Sequence, residues 1–161
     1  MCGTCELYKN GELQRALPLL LSLRAERPDD PTIAALTAWT HDGLGLEAEA
    51  VGHYRAAASG RLPEADRRAV LLGLASMLRV LGRDEEAGQV FGEAVEQFPD
   101  FPALRVFQAM HFYDLGKRTE ALAQVIRVFV ESSDEPSILR YRRALNAYAG
   151  DLDRSWLGHA P

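Results

Sequence analysis

LGRDEEAG, residues 81–88, has three counterparts along the chain: NGELQRAL at 10–17, LGLEAEAV at 44–51 and LGKRTEAL at 115–122. Their glycines are Gly11, Gly45, Gly82 and Gly116, separated by 34, 37 and 34 residues, and Gly150 follows after a further 34. A fixed period near 34 is the length of a helix–turn–helix unit that stacks on copies of itself. Five residues after each glycine stands Ala16, Ala50, Ala87 or Ala121, and seven before it stands Thr4, Ala38, Ala75 or Ala109. Small residues there suit the close approach of two helix backbones. Nine residues on, Leu20, Tyr54, Phe91 and Val125 are large enough to fill the space one turn beyond; twelve on stand Leu23, Ala57, Ala94 and Val128. Glycine itself suits a chain reversal where φ turns positive. Pro28, Pro63, Pro99 and Pro136 fall between units, where proline stops one helix or opens the next.

The pattern predicts helices near 3–10, 12–26, 32–43, 47–58, 64–81, 84–97, 101–115, 118–131 and 136–149, with a short terminal helix around Leu152–Leu157. No segment alternates apolar and polar residues long enough for a strand. The three extra residues of the 37 spacing fall in ASGRLPEADRR, residues 58–68, read as a longer turn and a lengthened helix. The expected architecture is all-α, one domain over residues 1–161. Its units cover about 1–30, 31–62, 63–101 and 102–135, a capping helix covers 136–150 and a tail 151–161.

Composition bounds the function. The chain has 161 residues, 47% apolar and 25% charged, with 18 Lys+Arg against 23 Asp+Glu. These are globular values, and a net charge of −5 argues against binding a phosphate backbone. The local clusters Arg67-Arg68 and Arg140, Arg142, Arg143 read as solvated helix faces. There is no apolar run of about 20 residues and no basic-then-apolar leader. A cytoplasmic protein with no membrane partner, no nucleic-acid partner and reduced thiols is expected.

The register resembles the tetratricopeptide repeat. Several stretches also resemble a family of small bacterial proteins made of little else: AWTHDGLGLEAEAVGHYRAA, RAVLLGLASMLRVLGRDEEA, FPDFPALRVFQAMHFYDLGK and YRRALNAYAGDLDRSW. The resemblance implies a right-handed superhelical solenoid of antiparallel helix pairs, about four repeats and a capping helix. It implies a role in protein–protein contact and no catalysis, with homodimerisation as the alternative; it assigns no biochemical task. The aromatic residue usual early in each first helix is missing, its places taken by Ala34, Leu71 and Arg105, while Trp39 comes later.

In such solenoids first helices line a concave groove. The residues turned from the core would be Thr32, Ala35, Trp39 and Asp42, then Leu72, Ser76 and Arg79, then Val106, Met110, Tyr113 and Asp114, and Arg140 with Ala144 from the capping helix. Trp, Tyr, Met and Arg are enriched at interface centres, so a peptide or partner helix of another protein is the expected ligand. Relatives that clamp a chaperone's C-terminal carboxylate use lysines and asparagines where this chain has Ala35, Trp39, Leu72 and Ser76, so that ligand is not expected.

Catalytic chemistry finds little support. His41 and His111 fall two units apart, too far to share an ion, and read as hydrogen-bonded, partly buried histidines. Glu47, Glu49, Asp84, Glu85, Glu86 and Glu120 mostly sit in first turns of helices, where they complement the dipole. There is no phosphate loop, no H-E-x-x-H and no nucleophile elbow. No metal and no cofactor is expected. Cys2 and Cys5 have thiol-oxidoreductase spacing but lack the βαβ setting of such enzymes and the further ligands of a zinc site. They are read as small residues on an end helix, with a thiol–disulfide role or bridging between two copies the lesser alternatives.

Overall fold

The computed structural model describes residues 3–153, with side chains from residue 6 onward. Among them are nine helices and no strand: α1 (Gly3–Lys9), α2 (Leu13–Glu26), α3 (Pro31–Gly43), α4 (Glu47–Ser59), α5 (Glu64–Val80), α6 (Asp84–Gln97), α7 (Pro102–Asp114), α8 (Arg118–Ser132) and α9 (Pro136–Gly150). Each lies within two residues of the stretch the repeat predicts. Of the expected terminal helix, Leu152 and Asp153 form a turn and the remainder lies outside the described residues.

The four turn glycines close the helix pairs. Gly11, Gly45, Gly82 and Gly116 have φ of 75, 71, 69 and 77°. Each ends a first helix in the same double hydrogen bond. At Gly82, its own N–H donates to Arg79 O at 3.0 Å while Arg83 N–H donates to Leu78 O at 2.9 Å; at Gly45, the matching bonds run to Asp42 O and His41 O. Otherwise orphaned carbonyls of the last turn are thereby satisfied. Gly150 holds the register but not the conformation: it is the last residue of α9, and the chain makes no such turn there. At the other end of the helices, the Asp30 carboxylate caps α3, accepting from the N–H groups of Thr32 and Ile33 at 3.0 and 3.1 Å. Pro31, Pro102 and Pro136 open α3, α7 and α9, where no N–H is needed.

The chain divides into two compact units, Met1–Phe98 and Pro99–Pro161. In the first, α1 to α6 pack each against the next, and α3 also touches α5, so first helices lie side by side. Its core holds most of the predicted residues: Ala16, Leu20, Ala38, Ala50, Tyr54, Ala57, Ala75, Ala87, Phe91 and Ala94 are buried, Leu23 is half-buried, and the Thr4 side chain lies outside the described residues. Tyr54 shows how tight the seam is. A Cβ on Gly73 of α5 would stand 2.4 Å from the ring of Tyr54 on α4, so the phenol occupies the place a side chain would take. Its hydroxyl donates to Asp42 Oδ2 at 2.7 Å, and burial, then that bond, raises its pKa far above the usual phenol value. On the exposed flank an ion pair joins two second helices, Arg55–Glu86 from α4 to α6.

In the second unit α7 packs on α8 and α8 on α9. Ala109 of α7 and Ala121 and Val128 of α8 are buried as the repeat predicts, and Gln124 ties the pair, donating to Arg105 O at 2.6 Å. Val125 breaks the pattern. It stands where Leu20, Tyr54 and Phe91 are buried, yet it is exposed. α9 meets α8 on another flank: Ala149 is buried, and Arg127 donates to Ala149 O at 2.9 Å.

Two stability predictions follow from this geometry. Gly82→Ala meets no neighbour within 4 Å, so its cost is the left-handed backbone alone, about 1–2 kcal/mol in urea unfolding. Gly73→Ala overpacks against Tyr54 and costs about 1–3 kcal/mol. In a Tyr54→Leu background the Gly73→Ala penalty shrinks, a non-additivity that a double-mutant cycle reads directly.

Candidate functional site

The predicted groove residues stand three, six, ten or thirteen places before one of the periodic glycines, Asp114 alone standing two before Gly116, on the side of each first helix away from the small residues that pack. In the first unit, Thr32 is exposed, Leu72 and Arg79 are half-buried, and Trp39 is half-buried against Tyr8 of α1, their ring centroids 6.4 Å apart at 31°. Asp42 accepts the Tyr54 hydroxyl, so its carboxylate serves the α3–α4 contact as well as the surface. Ala35 and Ser76 prove to be packing residues: they are 1% and 8% exposed and offer a ligand almost nothing. In the second unit, Val106 is half-buried, Asp114, Arg140 and Ala144 are exposed, and Met110 and Tyr113 are 45% and 59% exposed, one turn apart on α7. The Arg118 guanidinium lies 5.8 Å over the Tyr113 ring, and that of Arg140 5.7 Å over Tyr141.

Tyr8 was legible but is absent from the predicted set. It precedes Gly11 by three places, as Asp42, Arg79 and Tyr113 precede their own glycines. Its phenol pKa is raised by burial first and by Asp42 second, so Tyr8, Trp39 and Asp42 form one cluster on adjoining first helices.

The histidines form a pair that spacing along one helix could not show. His41 and His53 stack with centroids 4.9 Å apart and planes 23° apart, joining α3 to α4. His41 donates its Nδ1–H to Thr37 O at 2.8 Å, while the hydroxyls of Thr37 and Thr40 donate to Ile33 O and Leu36 O at 2.7 Å each. The polar groups buried in α3 are therefore satisfied by their own helix. The His53 pKa is lowered, chiefly by burial, then by His41 and Arg24. Rings stacked face to face aim their nitrogen lone pairs past each other, a poor geometry for one metal ion. Among the described residues no group of three or more His, Cys, Asp or Glu side chains could hold one. Cys2 and the Cys5 side chain lie outside the described residues. A polar cleft of about 400 Å³ opens in the second unit, lined by Glu120, Gln124, Arg127 and Asp153 among others; no predicted groove residue lines it.

The periodic turn glycines, the small-residue seam and the consecutive helix pairs define a helical-repeat protein. Residues 31–152 match the family described as Tetratrico peptide repeat, and the chain belongs to that family. No curated protein matches the chain. Among the described residues, no helix is long and apolar enough to cross a membrane.

Protonation of His53 is disfavoured in the folded state, so on acidification the unfolded chain takes up that proton first. The stability His53 allows is complete above the ordinary histidine value of about 6.5 and falls as pH drops through it. The difference in urea midpoint between pH 7.5 and pH 5 should be smaller in His53→Asn than in the parent chain.

Proposed function

We propose that the chain is a non-catalytic adaptor that takes a peptide or an amphipathic helix of another protein against the outward faces of its first helices. Membership of a repeat family that mediates protein contact supports the class. The observation that carries the surface is Met110 and Tyr113. Two large side chains, about half exposed, stand one turn apart on α7 with a guanidinium stacked beside them. Large flexible or aromatic side chains that the fold leaves uncovered are the ones a partner gains most by burying. Thr32, Trp39 with Tyr8, Leu72 and Arg79 supply the corresponding surface in the first unit, and Arg140 a cationic contact in the second.

Trp39 is the less informative position to test, because removing its indole also strips the contact with Tyr8 and lowers stability. The double variant Met110→Ala, Tyr113→Ala is cleaner. Its folding stability should stay within about 0.5 kcal/mol of the parent. Proteins captured from a native lysate by the parent chain should be lost from the variant, with quantitative mass spectrometry as the readout. Unchanged capture by a normally folded variant removes this surface from the proposal.

A further inference from the structure

The uncovered flank of α8 is a different surface from the first-helix faces, and the chain itself shows what such a flank accepts. Leu122, Val125 and Phe129 are 53%, 41% and 53% exposed. They follow one another at i, i+3 and i+7, which places them in one stripe. Counted from the turn glycine, Leu122 and Val125 are the counterparts of Val51 and Tyr54 on α4. There both are buried, with Tyr54 against Gly73 of the next first helix, α5. On α8 the matching seat stays open, α9 being bonded instead to Arg127 on another flank.

We infer that this stripe is a seat for a helix of another protein, laid antiparallel to α8 as α5 lies on α4. Two features specify that helix. The first is volume. On α4 the seat supplies a large residue, Tyr54, and the incoming helix must supply none, Gly73. On α8 the seat supplies the smaller Val125, so the incoming helix must bring a bulky apolar residue to the same place. The second is charge. Lys117 and Arg118 stand at the start of α8 and lie over the rings of Phe112 and Tyr113 rather than in any described ion pair. Asp134 and Glu135 stand just beyond its end. An antiparallel helix with carboxylates in its last turn and a basic residue near its first turn meets opposite charge at both ends; a parallel one of the same composition meets like charge. The occupant is thus an amphipathic helix, apolar and bulky at its centre, basic toward its N-terminus and acidic toward its C-terminus.

The probe is a labelled peptide of residues 64–81 of this chain carrying Glu64→Lys, Asp66→Asn, Gly73→Leu and Arg79→Glu, titrated with the full-length protein by fluorescence anisotropy. It should bind at least about tenfold more tightly than the same peptide with Gly73 retained, in line with burying one more large side chain. Val125→Asp and, separately, Phe129→Glu in the protein should weaken it at least about tenfold, and Val125→Ile should keep it. Both changed positions are exposed, so circular dichroism and melting should match the parent. Equal affinity of the two peptides, no binding of either, or binding untouched by Val125→Asp overturns the inference. Sedimentation of the protein alone gives the remaining decision: self-association abolished by Val125→Asp assigns the stripe to a second copy and overturns the assignment to another protein. Met110→Ala, which leaves the contact of Arg118 with Tyr113 in place, should leave peptide binding unchanged, which separates this surface from the proposed adaptor face.

Discussion

The left-handed glycine that ends each first helix is the constraint on which the remaining structure depends. At that residue the chain makes two backbone hydrogen bonds in a geometry that L side chains resist, and it leaves in nearly the reverse direction. Because every reversal is the same, the residue five places later always faces the one seven places earlier. Alanine at both then lets the two helices approach closely, and the larger residue at nine places fills what remains. The alternating pattern of small and large is a consequence of the turn, and it explains why helices of modest intrinsic propensity still form: their stability comes from the face they bury.

The same rule explains where the pattern stops. Gly150 keeps its place in the count while α9 simply runs out at it. The final helix is held by Ala149 and by the Arg127 hydrogen bond to its carbonyl. Val125, whose counterpart Tyr54 is inside the protein on α4, is left exposed on α8.

Much of this could be read in the sequence, because turn and seam are both local and periodic. Gly82, Ala75 and Ala87 announce a helix pair wherever they recur, and helix ends came within two residues. What could not be read depends on side chains meeting across helices. The stacking of His41 on His53 requires the rotation of α3 against α4, which periodicity leaves open. The burial of Ala35 and Ser76 depends on how closely neighbouring first helices lie, and the groove reading placed both on an open face. Tyr8, by contrast, was signalled by its register position, as an additional surface aromatic.

The fit of Tyr54 against Gly73 also orders the ways this chain can change. An enlarged residue 73 has nowhere to go while the phenol is present. A shortened residue 54 leaves a void that the fold can bear, and which a later alanine at 73 would fill. Substitution is therefore passable in one sequence of steps and blocked in the reverse, so related chains should carry the glycine with a large aromatic partner, or carry neither, far more often than a bulky residue at both. The two positions are 19 apart in the chain and behave, under drift, as a single character.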